Sequence, residues 1–181
     1  TGCGATTIAL TNNENYIITV PTAELIENKC YPTKDADGNV KFWKKHERRA
    51  GLSPVVNNLF GLYGNFTLEL KKKLKDYLSS VGVKKIICTY DKIDKLMEFI
   101  NPKDFKLTID EYHNFLKQYS FRDKAINGVL AHFKEFKSYC FLSATPIPNN
   151  LKPAIFNDIP EYMADWNTTD DITVYPYHTD K

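Results

Sequence analysis

Arginine is scarce in this chain, and the first 28 residues hold neither arginine nor lysine. Its arginines are Arg48, Arg49 and Arg122, beside a much larger number of lysines. A site built from the opening residues therefore draws no side-chain cation from its own neighbourhood. Cysteine is equally thin. Cys3, Cys30, Cys88 and Cys140 make no Cys-x-x-Cys pair and have no histidine cluster beside them, which removes the usual zinc patterns and points to a reducing compartment. No apolar run approaches the ~18 residues of a membrane span, and no signal peptide is visible. Internal repeats, low-complexity tracts and flexible linkers are missing too. These absences together describe a soluble, intracellular protein with no membrane partner.

What is present is ordinary in bulk. The 181 residues suffice to bury a full core, with 43% hydrophobic and 25% charged residues, and they read as one domain over 1–181. A formal charge of +2 neither demands nor forbids nucleic acid, because a local basic face can act without a basic total.

Strand-length apolar runs fall at Tyr16–Val20, Asn58–Tyr63, Lys85–Thr89, Phe105–Ile109 and Ser138–Leu142, with a weaker one at Ile172–Tyr175. Between them Leu68, Leu70, Leu74, Tyr77 and Leu78 recur at helical spacing, as do Ile93, Leu96, Met97 and Ile100, and Ala125, Val129, Phe133 and Phe136. Strand and helix in alternation predict an α/β fold with a mostly parallel sheet covered on both faces. Cys88 and Cys140 lie inside two of the apolar runs, where buried free thiols are expected. Tyr31–Asn57 interrupts the alternation. Its Ala36-Asp37-Gly38-Asn39 is a turn signal that makes Val40, Phe42 and Trp43 one arm of a hairpin. The following Lys41–Arg49 run carries five basic residues against one acid. Basic groups interleaved with aromatics suit single-stranded nucleic acid; a solvated surface excursion is the other reading.

Three segments carry chemistry. Thr1-Gly2-Cys3-Gly4-Ala5-Thr6-Thr7 has glycines that let successive amides point at phosphate oxygens, and a helix follows to add its positive end. Ile109-Asp110-Glu111-Tyr112-His113 places an acidic pair at the carboxyl end of an apolar strand. Ser143-Ala144-Thr145-Pro146 follows Tyr139–Leu142, about thirty residues beyond the acidic pair. Ligands bind at the carboxyl edge of parallel sheets, so all three segments can converge there.

In this order the segments resemble the first motor domain of a superfamily 2 helicase or translocase of the DEAD/DEAH type. The resemblance implies a three-layer RecA-like P-loop domain that binds ATP and Mg²⁺ and couples hydrolysis to movement on DNA or RNA. It implies a nucleotide along Thr1, Gly2, Cys3, Gly4, Ala5, Thr6 and Thr7, with Mg²⁺ held by Thr6 and Asp110. Glu111 would activate the attacking water, and His113, Ser143 and Thr145 would couple nucleotide state to the nucleic-acid path. Pro21, Thr22 and Thr89 match positions that grip nucleic acid through phosphate oxygens. The family also has a buried strand ahead of the loop, beside the strand carrying Ser-Ala-Thr, and a second RecA-like domain that supplies arginines. By that comparison the chain is a fragment of a longer protein.

One residue departs from the pattern. The family's loop lysine is Ala5 here. A charge-assisted hydrogen bond is worth about 1.5–3 kcal/mol, so its loss weakens triphosphate binding by roughly ten- to a hundredfold. An engineered knockout, a natural alanine subfamily and a degenerate, non-hydrolysing scaffold all account for Ala5.

Overall fold

The computed structural model describes residues 5–32, 47–145 and 147–163. The chain divides into two compact units, Thr1–Pro146 and Ile147–Lys181. The first unit is an α/β layer structure around one six-stranded sheet. Its strands are β1 (Tyr16–Val20), β2 (Gly51–Leu52), β3 (Leu59–Leu62), β4 (Lys85–Thr89), β5 (Lys106–Asp110) and β6 (Ser138–Leu142). The order is β2-β3-β4-β1-β5-β6. All pairings are parallel except β2 with β3. This sheet is compatible with a RecA-like fold.

The central strands are mostly apolar because helices cover both of their faces. Ile17, Ile18, Phe60, Leu62, Ile86, Cys88 and Ile109 are wholly excluded from solvent. Side chains alternate across a strand, and each face has its own helices. Helices α1 (Ala5–Thr11) and α2 (Ala23–Cys30) share a core with Ile18, Val20, Leu59 and Ile87. On the other face α3 (Leu68–Ser79) and α5 (Asn114–His132) set Tyr77 against Phe60 and Phe115 against Phe141, and Phe133, in the turn after α5, also packs on Phe141. Helix α4 (Ile93–Met97) buries Ile93 and Leu96. Thr67 starts α3 by accepting a hydrogen bond from the Leu70 amide at 3.2 Å, and Glu69 stands in the positive first turn.

Two close approaches fix how helices seat. A β-carbon on Gly61 would lie 2.9 Å from Cys30 Sγ and 3.0 Å from Ile26 Cγ2, so α2 rests directly on the backbone of β3. One on Gly128 would meet an Asp94 carboxylate oxygen at 2.5 Å, where α5 passes α4. At the opposite, amino-terminal edge, Lys85 is buried. Its ammonium donates to Ala9 O at 2.8 Å and Asn12 Oδ1 at 2.6 Å, and lies 4.8 Å from the centre of the Tyr16 ring. It thereby ties down the last turn of α1.

The five main strands fall where the apolar runs predict them, shifted by no more than one residue at an end. The structure corrects other expectations. Gly51–Leu52 forms an unpredicted antiparallel edge strand, too short for a periodicity to register. Leu68 is 85% exposed, since it occupies the first position of α3 before the helix meets the core. The last helical run stops at His132, and Phe133 and Phe136 are buried from a tight 3₁₀ turn and the extended residue after it. Cys88 is buried, but Cys140 is exposed. Strand β6 stands last in the strand order and pairs in parallel with β5. A groove of about 180 Å³ runs between α1 and the β5–β6 face, with Ile8, Thr108, Cys140 and Leu142 among its walls. The hairpin arm at 40–43 and the run at Ile172–Tyr175 lie outside the described residues.

The second unit has short 3₁₀ turns at Asn149–Leu151 and Ala154–Phe156, and Lys152 pairs with Glu161 at 2.5 Å. No helix among the described residues is long and apolar enough to cross a membrane.

Candidate functional site

The carboxyl ends of β4, β1, β5 and β6 form a row at one edge of the sheet, and the predicted site residues sit along it. Thr89 ends β4, Pro21 and Thr22 follow β1, Asp110 ends β5, and Ser143 follows β6. Helix α1 brings Thr6 to the same place. The Thr6 hydroxyl donates to Asp110 Oδ2 at 3.1 Å, across 104 residues of sequence. Asp110 Oδ1 accepts the Glu111 amide at 3.0 Å. One carboxylate thus faces the helix that follows the glycine loop and also anchors its own turn.

Glu111 has φ +56°, a left-handed conformation that costs a non-glycine residue about 1–3 kcal/mol. Several bonds over-determine it. Its carbonyl accepts from the Asn114 amide at 2.9 Å, from Asn114 Nδ2 at 3.0 Å and from the Tyr90 hydroxyl at 3.2 Å. The next amide, Tyr112, donates to Leu142 O at 3.1 Å, so the acidic turn is stitched to the end of β6. Beneath it Tyr90, Phe115, Phe141 and Tyr112 pack edge to face in series.

The turn aims Glu111 at His113, with Glu111 Oε2 lying 3.1 Å from His113 Nδ1. The same nitrogen is 2.8 Å from Ser143 Oγ. Ser143 spends its proton on Thr145 O at 2.8 Å and accepts the Thr145 amide at 3.0 Å. Both neighbours of Nδ1 are therefore acceptors, and Nδ1 carries the proton. Nε2 then accepts from Asn114 Nδ2 at 3.3 Å. His113, Ser143 and Thr145 form one hydrogen-bonded chain leading out of the acidic turn, with the Glu111 carboxylate 3.1 Å from its first nitrogen.

The remaining predicted residues take different settings. Thr7 is exposed at the start of α1, and Thr145 is exposed at the far end of the chain of bonds. Thr22 precedes α2, its hydroxyl making no capping bond to the helix, and Pro21 is buried. Thr89 is buried, and its hydroxyl bonds the carboxylate of Asp91. Burial raises the Asp91 carboxyl, but bonds from Lys92 and Thr89 outweigh this and hold it below its usual range. Thr1, Gly2, Cys3 and Gly4 lie outside the described residues, as does most of the basic run; Ala5 opens α1. At the end of that run, Arg48 pairs with Glu27 at 3.5 Å.

Two contributors escape motif reading. Asn114 holds both the Glu111 carbonyl and His113, and its position directly after the acidic segment is its one sequence signal. Tyr90 follows a strand end like any core aromatic, and nothing in the sequence assigns its hydroxyl a task. Among the described residues no group of three or more His, Cys, Asp or Glu side chains forms a self-sufficient metal cage. Oxygen donors from Asp110 and Thr6 instead suit a hard cation that keeps water or phosphate oxygens for its other positions. Comparison with protein-family models, with curated proteins and with solved structures finds no match to this chain.

Proposed function

We propose that the chain is the ATP-binding motor domain of a DEAD/DEAH-like helicase or translocase, coupling Mg²⁺-dependent nucleoside triphosphate hydrolysis to movement on DNA or RNA. The observation that carries this reading is the bond from Thr6 to Asp110, at the same sheet edge as the chain Glu111–His113–Ser143. Three distant segments supply a hydroxyl, a metal-facing carboxylate, a second carboxylate and a relay of polar groups. Bound Mg²⁺ would supply charge neutralisation at the phosphates. Asp110 and Thr6 would hold it, and Glu111 would orient the attacking water and take its proton. His113, Ser143 and Thr145 would pass the state of the site toward Pro21, Thr22 and Thr89. Arginines completing the site would come from a second RecA-like domain.

Ala5 favours a second reading, a degenerate module that keeps the fold as a nucleic-acid-binding or protein scaffold. Titration of labelled ATP in the presence of Mg²⁺ separates the two. The motor reading expects weak, saturable binding that Asp110→Ala weakens further. Nucleotide binding indifferent to Asp110→Ala and to Mg²⁺ would contradict it and favour the scaffold.

A further inference from the structure

Tyr90 begins the tight turn after β4 and is 1% exposed. Its hydroxyl lies 2.5 Å from Asp110 O and 3.2 Å from Glu111 O. Strand β1 separates β4 from β5, so the phenol reaches across the end of β1 to touch the acidic turn. Its ring is fixed edge to face on Phe115, with centroids 5.1 Å apart. We propose that Tyr90 is a positioning residue for Glu111, holding its left-handed backbone so that its carboxylate meets His113. This rests on the reading of Glu111 as the water-activating carboxylate.

The argument is one of geometry. The direction of the Glu111 side chain follows from a φ of +56° that the residue does not adopt unaided. The other donors to the Glu111 carbonyl both belong to Asn114, which moves with the turn it stabilises. Tyr90 is a donor from outside that turn: its proton goes to Asp110 O at 2.5 Å, with Glu111 O a second acceptor at 3.2 Å, so it ties the peptide on either side of Glu111 to the end of β4. The dependence is mutual, since a buried phenol must find an acceptor. Tyr112, whose amide donates to Leu142 O, fixes the same turn from the β6 side. Glu111 is thereby held between two strands that are not neighbours.

The test uses the whole chain and reads His113 by NMR. The Ser143 hydroxyl accepts from Nδ1–H at 2.8 Å and the Glu111 carboxylate lies 3.1 Å from the same nitrogen, so the neighbouring negative charge draws the proton resonance further downfield than the hydroxyl alone does. Glu111→Ala, which leaves Ser143 as acceptor, defines the resonance without the carboxylate. Tyr90→Phe keeps the ring and removes the hydroxyl. It should move the His113 resonance to the Glu111→Ala position and speed exchange of the Tyr112 and Asn114 amides about tenfold, as loss of one ordinary hydrogen bond would. Amides of Ile18 and Cys88 in the core should keep their protection. In the Glu111→Ala background the Tyr90 substitution should not move the resonance further. Phe115→Leu loosens the ring without touching the hydroxyl, and should lower stability while leaving the resonance downfield. An unmoved resonance in Tyr90→Phe, a uniform loss of protection through the core, or the same shift in Phe115→Leu would overturn the proposal. The hydrolysis reading fails by a different result, the absence of Mg²⁺-dependent ATP binding while His113 still responds to Tyr90→Phe.

Discussion

Single residues carry both the proposed chemistry and its cost in backbone conformation. Asp110 divides its two oxygens between Thr6 and the Glu111 amide, and Glu111 holds a backbone conformation that its neighbours must enforce. Thr6→Val keeps the shape of the side chain but removes the donor to Asp110. It should weaken Mg²⁺-ATP binding by roughly three- to tenfold, the worth of one hydrogen bond. Isothermal titration checks this, and unchanged affinity would show that Thr6 serves only α1. Far from the site, Lys85 gives a pH signature. Burial depresses its ammonium to about 8, while the charge of Glu14 partly offsets the effect. The unfolded value is about 10.4. Between those two values the unfolded chain holds a proton that the folded chain has released, so stability rises with pH. The gain is complete above the unfolded value and lost as pH falls through the folded one. Urea unfolding at several pH values should show this rise in the parent chain and a flatter one in Lys85→Met. Identical slopes would contradict it.

At the scale of elements, packing on backbone sets the tolerances. Gly61→Ala would drive a methyl into Cys30 and Ile26 of α2 and should destabilise the chain by about 1–3 kcal/mol. A urea midpoint equal to that of the parent would mean that α2 can ride up on β3 without cost. Elements were also the level most legible in the sequence. Runs such as Tyr16–Val20 and Lys85–Thr89 match β1 and β4 to the residue, because a strand buried on both faces must be apolar along its length. Exposure was harder to read. Cys140 sits in as apolar a run as Cys88, yet Cys88 lies on the central strand β4 and is buried while Cys140 lies on β6, last in the order, and is exposed; strand order is not written in a run's composition. The gathering of Asp110, Glu111, His113 and Ser143 at one sheet edge was legible because each ends or follows an apolar strand. Tyr90 and Asn114 were hidden because their work is to hold backbone carbonyls, which many residue types do at many positions.

At the scale of the whole molecule, the row of strand ends from Thr89 through Pro21 and Thr22 to Asp110 and Ser143 gives the proposal its geometry. Nucleic acid gripped through phosphates along such a row is bound weakly and without sequence preference, with release of counterions. Binding of single-stranded DNA or RNA should therefore fall steeply with salt, and neutralising Lys44, Lys45, Arg48 and Arg49 should weaken it if the basic run takes part. Affinity indifferent to salt would exclude this mode. Ala5 offers the most direct test of the central claim, that this edge is a Mg²⁺-nucleotide site lacking one charge. Labelled ATP should be titrated into the chain and into its Ala5→Lys variant, each with and without Asp110→Ala. A restored ammonium should tighten binding about tenfold or more, only in the presence of Mg²⁺, with the gain shrinking in Asp110→Ala. No gain from Ala5→Lys, or a gain equal with and without Mg²⁺ and Asp110, would contradict the account.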